Sequence, residues 1–122
     1  MATEIKYHIT AGGRKIAEII PGADLISGPE DILDLMAEAR FNGSGTMIIK
    51  DMSLHPDFFD LKTRVAGEIL QKFSNYRMRL AIVGDFSGFE SRSLRDFIKE
   101  SNRTGTIYFV GSIEEALSKL DR

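Results

Sequence analysis

The sequence predicts an α/β fold with the element order ββαβαβαβα. The expected architecture is a mixed, mostly parallel sheet with an N-terminal antiparallel hairpin and helices packed on it. Three observations carry the prediction. Two short runs flank a Gly-containing connection near the start of the chain, at hairpin spacing. Short apolar runs of strand length recur at residues 46–49, 79–84 and 106–110. Between them lie stretches whose apolar residues recur at helical spacing, and strands alternating with helices pair as parallel neighbours through right-handed crossovers.

Taken in order, residues 5–10 and 15–20 flank Ala11-Gly12-Gly13-Arg14, and Pro21-Gly22 breaks the second strand. This hairpin is expected at one edge of the sheet. Ser27-Gly28-Pro29-Glu30 carries two helix-start signals, a Ser three residues before a Glu and a Pro in the first turn. Ile32, Leu35, Met36 and Ala39 follow at helical spacing, and Asn42-Gly43 ends the helix. Residues 46–49 form a buried strand closed by Lys50-Asp51.

After a loop containing His55-Pro56 comes DFFDLKTRVAGEILQKFSNYRMRLAIVGD, residues 57–85. It reads as one long amphipathic helix feeding directly into a buried strand. At about 100° per residue, Phe58, Leu61, Val65, Ile69, Phe73 and Tyr76 fall on one stripe. Ala66 and Leu70 widen it, while Glu68, Gln71, Lys72 and Asn75 take the other side. Residues 79–84 (RLAIVG) are the clearest buried strand, and 85–90 a loop. Ser91 or Ser93 caps a helix with Leu94, Phe97 and Ile98 inward. After the last strand, Ser112-Ile113-Glu114-Glu115 is a capping box opening a terminal helix with Ala116, Leu117 and Leu120. No linker interrupts the pattern, so all 122 residues are expected to form a single domain.

Bulk properties exclude several function classes. With 43% hydrophobic and 28% charged residues the composition is that of a globular protein. A net charge of −2 gives no general attraction to nucleic acid or to an anionic membrane. Most Lys and Arg lie between Lys62 and Arg103, a distribution that solvated helix faces account for. The absence of cysteine removes disulfides, thiolate metal sites and thiol nucleophiles. No apolar run approaches the ~20 residues of a membrane span, and the first residues lack the apolar core of a signal peptide. A cytoplasmic location is the expectation.

Ligands of open α/β sheets gather beyond the carboxyl ends of the parallel strands. The connections there hold Asp51, Ser53, His55, Asp57, Asp60, Asp85 and Ser87, with Lys62 and Thr63 just inside the long helix. Capping and turn formation are the plain roles of such Asp and Ser residues. Lys62 departs from pattern by falling within the apolar stripe. Its stem either snorkels to water, or its ammonium enters the cleft to meet Asp51, Asp85 or an anionic ligand. A cation at a helix start opposes the macrodipole by roughly 0.3–1 kcal/mol, which favours a nearby carboxylate. Asp51 and Asp85 are a weak match to a Mg²⁺-binding carboxylate pair, because no acidic pair follows the first strand. His8 and His55 have no His or Cys at ligand spacing, and nucleophile-elbow, GxGxxG and P-loop patterns are absent. No metal or cofactor is expected. Phe86 and Phe89, in the loop Asp-Phe-Ser-Gly-Phe-Glu, either cap the core or form a partner or ligand surface.

The runs DFFDLKT, AGEILQKF, LAIVGDFS and SLRDFI, followed by S-EEAL, resemble an uncharacterised prokaryotic family, a domain of unknown function of about this length. The element order and the close of the chain, IYFVGSIEEALSKL, are also similar to the STAS domain of anti-sigma-factor antagonists and sulfate-transporter tails. That resemblance implies a STAS-like fold. In STAS regulators an Asp-Ser-Ser-Gly segment opens the second helix, and one of its serines is phosphorylated. Phe59-Asp60-Leu61-Lys62-Thr63 stands in that place, with Asp60 matching the aspartate, Leu or Lys replacing the serine, and Thr63 the only nearby hydroxyl.

The first expectation is therefore a non-catalytic binding or regulatory module with a protein partner. Its surface comprises Asp51, His55, Asp60, Lys62, Thr63, Asp85, Phe86, Ser87 and Phe89. The alternatives are an enzyme or small-molecule binder with an anionic-ligand site at Lys62, Asp51 and Asp85, and a phospho-switch at Thr63. A homodimer through a sheet edge or helix face is compatible with all three.

Overall fold

The alternating residues of the N-terminal hairpin form β1 (Ile5–Ile9) and β2 (Lys15–Ile19), paired antiparallel with Tyr7 opposite Ala17. In the computed structural model, which describes residues 4–22 and 24–122, the hairpin lies at one edge of a five-stranded sheet ordered β1-β2-β3-β4-β5. The other strands are β3 (Thr46–Lys50), β4 (Arg79–Val83) and β5 (Ile107–Val110), and every pairing after the hairpin is parallel. The helices are α1 (Pro29–Phe41), α2 (Val65–Asn75), α3 (Arg92–Thr104) and α4 (Ile113–Leu120). This is the predicted α/β architecture and element order. Among the described residues, no helix is long and apolar enough to cross a membrane.

Strand alternation divides the apolar residues between two faces. Ala17, Ile19, Met47, Ile49, Leu80, Ile82 and Phe109 share a core with Ile32, Leu35, Met36 and Ala39 of α1 and Ala66, Ile69 and Phe73 of α2. Phe97 and Ile98 of α3 pack against the same core. Ile16, Ile48, Ala81, Tyr108 and Val110 point the other way, onto Ala116 and Leu120 of α4. The central strands are thus covered on both faces, which is why they read as continuous apolar runs. Arg79 anchors α4 from the start of β4: its guanidinium donates to the carbonyls of Leu120 at 3.3 Å and Arg122 at 3.0 Å. A cation at a helix C-terminus satisfies carbonyls the helix itself leaves open.

The long helix predicted from Asp57 is corrected. Its first part is two 3₁₀ turns, Pro56–Phe59 and Leu61–Thr63, and the α-helix begins only at Val65. Local hydrogen bonds win here. Asp60 Oδ1 accepts from the Lys62 N–H at 3.2 Å, and Thr63 Oγ1 lies 2.6 Å from Asp57 O and 2.8 Å from Asp60 O. Such side-chain bonds offer the backbone an alternative to the helical ladder. Arg64, at φ 66°, then turns the chain left-handed before α2. Lys62 and Thr63 therefore sit on a 3₁₀ turn outside the α-helix, and the macrodipole argument for Lys62 does not apply. Phe58, Ile69 and Phe73 of the predicted stripe are nonetheless buried but Tyr76 is 54% exposed, so the stripe reported burial in part and helical continuity wrongly.

Helix ends follow the sequence more closely. Both α1 and α2 close in the two-bond C-terminal motif, with Ser44 N donating to Ala39 O and Met78 N to Phe73 O. The left-handed position is Gly43 in α1 and Arg77 in α2. Ser91 caps α3 by accepting from the Leu94 N–H, and Ser112 caps α4 by accepting from the Glu115 N–H. At α1 the expected Ser27 cap is replaced. Gly28 occupies the N-cap without a side-chain bond, and Asp31 Oδ2 instead accepts from the Ser27 N–H at 2.9 Å.

Candidate functional site

The carboxyl ends of β3 and β4 open onto two loops, and the path of each is locally determined. Beyond β3, a short parallel bridge joins Ile26 to Leu54: Ile26 N donates to Ser53 O, and His55 N to Ile26 O. This ties the segment before α1 to the segment after β3 and brings Leu25 beside Met52 and Leu54. His55 Nδ1 accepts from the Asp57 N–H at 3.0 Å and so opens the first 3₁₀ turn. Beyond β4, Asp85 accepts from the Ser87 N–H at 3.1 Å and hydroxyl at 2.6 Å, folding residues 85–90 back toward the turns.

The result is an open cleft of about 730 Å³, lined by Leu25, Asp51, Met52, Leu54, Pro56, Phe59, Asp60 and Phe89. Phe59 and Phe89 stack with centroids 5.3 Å apart and planes 19° from parallel. Phe86 stands behind them, 6.1 Å from Phe59, and meets Phe109 of the core edge-on at 5.3 Å. Phe86 caps the core, and Phe89 forms the cleft wall. Leu25 and Met52 are exposed at 40% and 65%, an apolar rim on the opposite side.

Charge in the cleft comes from Asp51 and Asp60. Asp51 lies against the backbone of Gly84, where an added Cβ would sit 2.5 Å from its Oδ2. The lining therefore combines π faces, aliphatic surface and carboxylate acceptors. It includes no imidazole, hydroxyl or amine among the described residues. That chemistry receives an apolar group and a hydrogen-bond donor or cation, the latter favoured both by carboxylates and by an aromatic face.

Of the residues expected at the site, Asp51, Asp60 and Phe89 line the cleft and Phe86 supports it. His55 caps the 3₁₀ turn that begins at Pro56 and does not line the cleft. Thr63 is half-buried, and its hydroxyl is engaged by the two carbonyls and by the Val65 N–H at 3.3 Å. Lys62 is exposed, and among the described residues no carboxylate lies within ion-pair distance of it. Asp85 and Ser87 are exposed and bond to each other, and these bonds from Ser87 hold the Asp85 carboxyl below its ordinary value. Among the described residues, no group of three His, Cys, Asp or Glu side chains is placed to hold a metal ion.

Sequence reading missed Phe59, Leu25, Met52 and Pro56. The available signal was the Phe58-Phe59 pair: Phe58 is buried in the core, while Phe59 packs against it only in part and turns a face to the cleft. It also missed a polar trio on the α4 face of the sheet. Glu18, 5% exposed, meets His8 Nε2 at 2.7 Å and Lys50 Nζ at 3.6 Å. Glu18 stands in phase with buried Ile16, and a carboxylate at an apolar position of a strand is the mark of such pairing.

The family model for Domain of unknown function (DUF4180) matches residues 11–120. Comparison with curated proteins and with solved structures returns no match.

Proposed function

This chain belongs to the DUF4180 family, and we propose that it is a non-catalytic binding or regulatory module that docks a partner protein in the cleft beyond β3 and β4. The observation that carries the proposal is the Phe59–Phe89 stack, which stands in an open cleft whose charges are Asp51 and Asp60. The partner segment that suits it presents one apolar side chain and a neighbouring Lys or Arg. Aromatic anchors supply most of the energy of such docking, and the carboxylates set its polarity. An anionic small molecule suits the cleft less well, because its charged lining is acidic and Lys62 lies outside that lining. The element order and the strand order from β1 to β5 support a STAS-like reading of the fold.

Selection from a random peptide display library tests the proposal. Enrichment of peptides pairing a large apolar residue with Lys or Arg is expected, with capture lost in Phe89→Ala. Enrichment of acidic peptides, or capture indifferent to Phe89→Ala and Asp60→Asn, would contradict it.

A further inference from the structure

The two edges of the sheet are finished differently. At β5, Asn102 of α3 behaves as a substitute strand: its Oδ1 accepts from the Phe109 N–H at 2.7 Å and its Nδ2 donates to Phe109 O at 3.3 Å. That edge is closed at its centre. β1 has no such cover. Ile20 N donates to Glu4 O and Thr10 N to Arg14 O, so the alternation of the antiparallel ladder commits Glu4, Lys6, His8 and Thr10 to β2. The N–H and C=O groups of Ile5, Tyr7 and Ile9 then face outward, and among the described residues nothing bonds to them. Ile9 is 66% exposed, one of the most exposed large apolar side chains. Tyr7 Oη is buried without a hydrogen-bond partner among the described residues.

We propose that β1 is a self-association edge, where a second copy of this chain pairs antiparallel about a two-fold axis at Tyr7. The strand is self-complementary in that register. Tyr7 meets Tyr7 of the second copy, and Ile5 meets Ile9, so all the outward backbone groups are matched to outward backbone groups. Exposed Ile9 gains a β-branched neighbour on its own face. Lys6 falls opposite His8 of the second copy, whereas a shift toward the strand start sets Lys6 against Lys6, and like charges directly opposite are destabilising. The side chains thus favour this register of a second copy over the one shifted toward the strand start. This surface is separate from the cleft, so both are available together.

Sedimentation equilibrium of the full chain over a concentration series tests the pairing, with Ile9→Pro as the variant. Proline at 9 removes an outward N–H that the monomer fold does not use, and edge strands tolerate it there. The wild type is expected to dimerise. Ile9→Pro is expected to weaken the dimer roughly tenfold or more with unchanged far-UV circular dichroism. Because the chain has no cysteine, a second reading is clean. Tyr7→Cys should oxidise to an intermolecular disulfide, and Phe41→Cys, on exposed α1 surface, should not. A wild type that stays monomeric, a dimer indifferent to Ile9→Pro, or equal cross-linking of the two cysteine variants would overturn the proposal.

Discussion

Asp85 shows how a single side chain sets local structure beside the cleft. Its carboxylate accepts twice from Ser87, and both bonds favour the ionised form. The folded state therefore holds this proton less tightly than the unfolded chain does. The associated stability is complete above the ordinary carboxylate range and is lost only as the pH falls below about 4. An NMR titration should find Asp85 below its ordinary value and moved back toward it in Ser87→Ala. Thr63 acts similarly on the backbone. Thr63→Val removes the hydroxyl that the carbonyls of Asp57 and Asp60 share, leaving them only the Asp60 and Thr63 N–H groups, and should cost about 1 kcal/mol in urea unfolding. Gly84 is required for a different reason, since Asp51 occupies the space of a Cβ. Gly84→Ala should displace that carboxylate and destabilise the fold by about 1–3 kcal/mol.

At the scale of the element, strands and most helix ends were legible because each rests on short-range chemistry. Asn42-Gly43 announces a left-handed helix end, Ser112 with Glu115 announces a cap, and β3 and β4 announce burial on both faces. The segment from Pro56 to Arg64 was not legible as 3₁₀ turns. Its apolar spacing satisfies a helix wheel, because Phe58 and Leu61 reach the core from turns as well as from a helix. No Gly or Pro marks the break at Arg64, and the competing bonds from Asp60 and Thr63 come from polar residues that a helix wheel places without weighing their own backbone bonds. The same holds at Arg77, a non-glycine residue at φ 54° in the position where α1 uses Gly43. Arg77→Gly should relieve left-handed strain and raise stability by up to about 1 kcal/mol in thermal or urea unfolding, while Arg77→Val should lower it.

For the whole molecule, topology leads to an open cleft at the carboxyl ends of the parallel strands, but not to which side chains meet there. Asp51, Asp60 and Phe89 were readable as loop residues of that rim. Phe59, Leu25 and Met52 were not, because their convergence depends on the Ile26–Leu54 bridge and on the turns that replaced the helix. The sheet places its bonded edge at β5 and its open edge at β1, leaving the cleft accessible between loops. The central claim is that this cleft docks an apolar and cationic segment. Its most direct test is chemical-shift mapping of the labelled protein with a short peptide carrying Trp beside Arg. Saturable shifts are expected at Asp51, Phe59, Asp60 and Phe89, weakened about tenfold or more by Phe59→Ala. Shifts confined to other surfaces, or no saturable shifts at all, would contradict it.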